Sequence, residues 1–244
     1  MSPLVLLSLL LLGGPAAAAD PTVEELLDAT DDVARGGTSI VTMTMQVTTS
    51  RYARSVRMKA WSQGEDKSLV VIEAPEKEKG VATLMVDDQI WNYLPKVDRT
   101  MKLPASMMSG SWMGSHLTND DLIKSSRLAD DFTATVTGRP IGTSGSWTID
   151  LVPKSEAAIV WGKVSVRVLA DRMPLDIRYY DEKGALVRTL AFEDVREVGG
   201  RRMPARMVIT PADKPGEQTT ITYDEATFDA VLPPETFTLQ ALKR

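Results

Sequence analysis

The sequence contains no cysteine and a single histidine, His116. Disulfide scaffolds, thiol catalysis and lipid attachment at cysteine are thereby excluded, and zinc sites built from cysteine and histidine lose nearly all their ligands. A basic excess is missing too: 28 Lys+Arg face 33 Asp+Glu, for a net charge of −5. Nucleic-acid binding needs a basic footprint over phosphates and finds none here. No apolar run reaches the roughly 20 residues that span a bilayer as a helix. With 43% apolar and 25% charged residues and no internal repeat, the composition is that of an ordinary globular protein.

The first residues differ from the rest. Met1 to Ala19 carries no charged side chain; Leu4 to Leu12 is apolar except for Ser8, Gly13-Gly14-Pro15 breaks the run, and Ala16-Ala17-Ala18-Ala19 precedes Asp20. A short apolar core followed by small residues reads as a secretory signal, although no Lys or Arg precedes it. The expected organisation is a signal peptide over 1–19 and one exported domain over 20–244.

Past the cut, one helical pattern stands out. Thr22 to Ala34 places Val23, Leu26, Leu27, Thr30, Val33 and Ala34 on one side, with Thr22 and Glu25 forming a capping box and Gly36-Gly37 ending the helix. The period then becomes two. Val41, Met43, Met45 and Val47 share one face of a strand whose other face is Thr and Gln. Further strands are expected at 56–60, 67–74, 81–87, 89–94, 99–103, 132–137, 146–152, 163–170, 175–181, 186–195, 202–210 and 218–223. Hairpin turns are expected at Asp181-Glu182-Lys183-Gly184 and Val198-Gly199-Gly200-Arg201. Strands at this density without intervening helices predict a mainly β fold, a single strongly curved antiparallel sheet.

Two segments interrupt the sheet. Pro104 to His116 is uncharged and rich in Met, Ser and Gly, and Thr118 with Asp121 caps a short helix. Catalytic chemistry is poorly supported. A nucleophilic triad has only His116 as its base, and no Gly-x-Ser-x-Gly elbow is present. His116, Asp120 and Asp121 offer metal-ligand chemistry, but adjacent aspartates point to different sides of a helix. The plainer reading makes them helix-start acids beside a loop histidine facing water. We therefore expect no enzyme, no metal and no cofactor.

The apolar residues say more. Eight methionines lie between Met43 and Met113. Methionine is flexible and repacks around ligands of variable shape, and apolar cavities of curved sheets hold greasy ligands. Met43, Met45 and Met58 either line such a cavity or fill the core; strand parity does not separate the two. Met101, Met107, Met108, Trp112 and Met113 complete the candidate cavity and lid. Arg51, Arg54, Arg57 and Lys59 either meet anionic groups or form the solvated face of a strand. Trp61, Trp91, Trp147 and Trp161 are expected to pack structurally.

An ordered series of motifs resembles the outer-membrane lipoprotein-sorting family, within the LolA/LolB-like superfamily. Tyr52-Ala53-Arg54-Ser55 is similar to the family's first hairpin. Glu73-Ala74-Pro75 with Lys79-Gly80-Val81-Ala82 resembles the next strand–turn–strand, and Ile90-Trp91-Asn92-Tyr93-Leu94-Pro95 with Arg99 its tryptophan strand. Met113-Gly114-Ser115-His116-Leu117-Thr118-Asn119-Asp120-Asp121-Leu122 resembles a family block in which Asp and Phe stand at the positions of His116 and Leu117. Pro233-Pro234-Glu235-Thr236-Phe237-Thr238-Leu239 resembles the closing segment.

The resemblance implies an incomplete β-barrel whose open side is covered by helices around an apolar cavity. It implies a periplasmic carrier or chaperone that binds acyl chains of lipoproteins or lipids and moves them towards the outer membrane. Its partners would be an inner-membrane transporter and an outer-membrane acceptor, and the protein itself a monomer. The alternative is a non-enzymatic envelope adaptor working with a lipid-exporting inner-membrane transporter. Burying acyl chains gains about 0.8 kcal/mol per CH₂, so a carrier needs room for many methylenes. Pro104–His116 together with the Thr22–Ala34 helix is the expected lid.

Overall fold

The computed structural model describes residues 20–31, 37–124, 131–142, 144–157 and 159–243. The expected signal segment 1–19, and Val33, Ala34 and Gly36 at the end of the expected first helix, lie outside the described residues. Helix α1 (Val23–Asp31) starts as the sequence predicts. The Thr22 N–H donates to Glu25 Oε2 at 3.0 Å, and the Glu25 N–H donates back to Thr22 Oγ1 at 3.1 Å.

Thirteen strands follow: β1 (Thr38–Thr48), β2 (Ala53–Gln63), β3 (Lys67–Ala74), β4 (Ala82–Val86), β5 (Gln89–Leu94), β6 (Arg99–Lys102), β7 (Phe132–Gly138), β8 (Ser146–Pro153), β9 (Lys163–Leu169), β10 (Pro174–Tyr180), β11 (Leu186–Val198), β12 (Arg201–Pro211) and β13 (Gln218–Phe228). Helix α2 (Asn119–Lys124) lies between β6 and β7. All strands join one antiparallel sheet in the order β6-β5-β4-β3-β2-β1-β13-β12-β11-β10-β9-β8-β7. The chain thus meanders outwards from β1 to one edge and returns inwards from the other, closing on itself where β1 pairs with β13. β6 and β7, consecutive in the chain, stand at opposite edges, so the sheet is not closed into a barrel.

The sheet is curled, so that residues of β3 and β10, far apart in strand order, line the same cavity. Register shifts at Thr42/Met43 and Arg57/Met58 add local bends in the central strands. The β11–β12 hairpin turns through Gly199 and Gly200, both at positive φ, where a two-residue turn needs glycine.

Alternation divides the sheet's side chains between two faces. On the inner face Val41, Met45, Val56, Ile72, Ile149, Val166, Ile209 and Ile221 form one continuous core with Leu26 and Leu27 of α1, which packs on β7 and β9. On the outer face of β3 and β4, Leu69, Ala82 and Leu84 are covered by Ala241 and Leu242 of the C-terminal segment, with Phe237 and Trp91 packed beside them.

Candidate functional site

The segment 103–124, which follows β6 at one edge of the sheet, runs across the open side. At its start, Met108 and Leu103 pack with Ile123 of α2 against Met85 and Ile90 on the inner face of β4 and β5. Trp112 then turns inwards, buried, and its Nε1–H donates to Thr83 Oγ1 at 3.3 Å. Leu117 is buried next to it, and the Trp112 N–H donates to the Leu117 carbonyl at 2.8 Å. Beneath this cover lies a cavity of ≈ 240 Å³. Its walls are mainly apolar: Val41 and Met43 of β1, Val70 of β3, Leu190 and Phe192 of β11, Ile221 of β13 and Trp112 of the cover all contribute.

Polar contacts fasten the cover at its rim. The Tyr52 hydroxyl donates to the Gly114 carbonyl at 2.7 Å, and Arg54 Nη1 donates to the Met113 carbonyl at 2.6 Å. Arg54 also pairs with Glu78. Met113 and Gly114 both take positive φ, and a Cβ on Gly114 would lie 3.3 Å from the Tyr52 hydroxyl. The motif that resembles the family's first hairpin therefore holds the motif that resembles its central block. Of the basic run, Arg54 is a fastening residue, whereas Arg57 is half exposed and faces Glu73 and Asp224 across the surface.

His116 departs from the sequence expectation of a water-facing residue. Its side chain is largely buried, with Nδ1 2.9 Å from Thr219 Oγ1 and Nε2 3.2 Å from Glu217 Oε2. The β12–β13 turn brings these partners in, which is invisible from the local sequence. Glu217 also accepts the Ser50 N–H at 2.9 Å. That backbone bond first, then His116 and the Ser50 hydroxyl, hold the Glu217 carboxyl down at about 2. Asp121 does not turn towards His116. It accepts the Thr118 N–H at 2.7 Å in the expected capping box, completed by the Asp121 N–H to Thr118 Oγ1 at 3.2 Å. Among the described residues no three His, Cys, Asp or Glu side chains group as metal ligands.

Asp121 has a second partner that sequence reasoning missed. Arg188 of β11 meets it end-on, Nη1 to Oδ2 at 2.7 Å and Nη2 to Oδ1 at 2.5 Å. Arg188 is 5% exposed, lines the cavity, and stacks on Tyr179 and Trp161 with its guanidinium carbon 4.3 Å and 4.9 Å from their ring centres. Burial opposes the guanidinium charge, but the hydrogen bonds and charge of Asp121, and then Tyr179, outweigh it and raise the Arg188 pKa. The signal was present in the pattern. Arg188 shares the inward register of Leu190 and Phe192, so a cation stands where alternation demands an apolar side chain.

The eight candidate residues separate by place. Met43 and Trp112 line the cavity. Met45 and Met58 lie fully buried in the main core, and Met113 packs against its edge. Met108 belongs to the cluster under α2, Met101 is half-buried on β6, and Met107 is 56% exposed on the outside of the cover.

Solved structures share this architecture. One is described as an outer membrane lipoprotein-sorting protein domain from Vibrio parahaemolyticus, with TM-score 0.73, 23% identity, and coverage of 91% of this chain and 99% of that one. A DUF1329 family protein from Desulfovibrio piger gives TM-score 0.77 and 23% identity over 89% of this chain and 96% of that one. A LolA superfamily protein from Nitrosomonas europaea gives TM-score 0.73 and 21% identity over 91% of this chain and 100% of that one. No curated protein matches the chain. The fold is that of the LolA superfamily. Residues 64–244, more than half of the sequence, match the model of a family described as an uncharacterized protein, and the chain belongs to that family.

Proposed function

We propose that the protein is a periplasmic carrier that takes acyl chains of lipoproteins or lipids into the inner cavity and moves them towards the outer membrane, without a chemical step. The observation that carries this reading is the apolar cavity left between the curled sheet and the segment across its open side. A core meant only for stability packs to crystal-like density. Here the cover is instead fastened at its rim while space remains beneath it. The likeness to structures described as lipoprotein-sorting and LolA-superfamily proteins supports the same reading.

At ≈ 240 Å³ the cavity is smaller than the roughly 300–1,000 Å³ typical of ligand pockets. In the carrier reading an acyl chain needs more room than this, and loading lifts the Pro104–His116 cover. Met43 and Trp112 meet the first methylenes; Met45, Met58, Met101, Met107, Met108 and Met113 repack as the chain enters. Delivery from an inner-membrane donor to an outer-membrane acceptor then needs a partner whose own site offers the chains more apolar contact.

Native mass spectrometry of protein purified without detergent tests the reading. A reproducible adduct of phospholipid or acylated peptide is expected. A clean apo mass, with no uptake from liposomes or from acylated peptide, would overturn it in favour of an envelope adaptor.

A further inference from the structure

The Arg188–Asp121 pair is out of place in an apolar cavity. Its two halves are held very differently. Arg188 sits on β11, an interior strand of the sheet, stacks against Tyr179 and Trp161, and is 5% exposed. Asp121 sits on α2, which follows the Pro104–His116 cover in the chain and packs with it through Ile123 and Met108; it is the more exposed of the two and has an independent partner in the Thr118 N–H. When the cover lifts and takes α2 with it, Asp121 leaves with its capping bond intact, but Arg188 stays behind as an uncompensated charge among apolar walls. A buried guanidinium that loses its carboxylate is strongly disfavoured unless another anion replaces it.

Arg188 also has a donor to spare. Nη1 and Nη2 serve Asp121, with Nη1 3.4 Å from the His116 carbonyl, while Nε is buried without a hydrogen-bond partner. A planar guanidinium with an unused donor matches the paired oxygens of a carboxylate or phosphate. A cation aimed at Asp121 fits worse, because it would displace Arg188 with nowhere for that charge to go.

We propose that the cavity reads the charge of its ligand: Arg188 receives the carboxylate or phosphate headgroup of an acyl-chain amphiphile in place of Asp121, and this exchange of anions releases the cover. The inference rests on the carrier reading and narrows its cargo to amphiphiles whose anionic group lies next to the acyl chain. Empty, the pair keeps the cavity shut; loaded, the ligand satisfies Arg188 and the cover is free to stay open.

Calorimetric titration of the whole protein with dodecyl compounds of different charge tests this. Laurate and dodecyl phosphate are the anions, monolauroyl glycerol the neutral ligand, dodecyltrimethylammonium the cation and inorganic phosphate the anion without a chain. We expect both dodecyl anions to bind about tenfold or more tighter than the neutral and cationic compounds, and inorganic phosphate not to bind. Asp121→Asn keeps an acceptor for the Thr118 N–H but removes the competing charge, so it should tighten laurate binding. Arg188→Met should erase the preference for anions while the neutral ligand still binds.

Equal binding of all dodecyl compounds would overturn the inference and leave the carrier standing. So would a preference that survives Arg188→Met, weaker laurate binding by Asp121→Asn, or inorganic phosphate binding as tightly as dodecyl phosphate. Failure of every dodecyl compound to bind would overturn the carrier reading and this inference with it. The wild-type and Asp121→Asn arms decide the matter even if Arg188→Met does not fold.

Discussion

The sheet carries a cover on each face, and the two are built differently. On the outer face, Ala241 and Leu242 press directly on Leu69, Ala82 and Leu84 and are themselves fully buried. On the inner face, Trp112 and Leu117 point down, but part of what they face is empty space, and the rim is closed by polar contacts from Tyr52, Arg54, Arg188 and His116. Burying a leucine is worth about 1.5–3 kcal/mol, whereas a hydrogen bond nets about 0.5–1.5 kcal/mol because water replaces it on opening. A side chain that borders a void also lacks partner atoms on one side. The outer cover is therefore part of the folded core. The inner one is made to come away while the sheet stays folded.

The comparison can be broken most severely on the outer face. Leu242→Ala should cost about 2–5 kcal/mol in urea unfolding, while laurate uptake per folded molecule stays unchanged; a loss of uptake there would erase the distinction between the covers. On the inner cover, Gly114→Ala forces a Cβ into the left-handed region and against Tyr52 and Arg54. It should cost about 1–2 kcal/mol and, unlike the outer variant, speed ligand exchange measured by stopped flow. Tyr52→Phe removes one fastening bond, for about 0.5–1.5 kcal/mol, with the same direction in exchange rate.

Acid sharpens the contrast further. The Glu217 carboxyl is held down at about 2, below its ordinary value of 4.5, so its fastening contribution is present above that ordinary value. It is lost as pH falls through the interval between the two. Stability measured against pH should show Glu217→Gln weaker than wild type at neutral pH, with the gap closing towards pH 2. The smallest effect on stability is expected from Ala60→Phe, which fills the cavity from β2. The cavity beside Ala60 takes up the added ring, so unfolding should shift little, yet laurate uptake should fall sharply; retained uptake would place the ligand elsewhere.

Much of the sheet was legible because each half-buried strand alternates. β3 and β5 keep the bounds read from the sequence, Lys67–Ala74 and Gln89–Leu94. β2 and β13 run further than expected, to Ala53–Gln63 and to Phe228. Their extra ends, such as Arg54 and Asp224-Glu225, carry polar residues on both faces and erase the period. Both capping boxes were legible since they depend on residues three apart. The rim contacts were not. Arg54 with Met113, His116 with Glu217 and Arg188 with Asp121 each join segments that only the curl of the sheet brings together. Parity could have flagged Arg188, because an arginine in an inward register announces a buried partner. Nothing local announces which carboxylate it will be.

The central claim is that the Pro104–His116 segment must lift for an acyl chain to enter. The chain has no cysteine, so a double variant His116→Cys, Thr219→Cys carries the only thiols. The backbone N–H and the ring of His116 both contact Thr219 Oγ1, at 3.0 Å and 2.9 Å, so the two side chains are direct neighbours for a crosslink. Uptake of dansyl-undecanoate would be followed by fluorescence before and after reduction, with the crosslink scored by free thiols. The account predicts that the oxidised protein excludes the probe and that reduction restores uptake. Equal uptake by the crosslinked and reduced forms would contradict it.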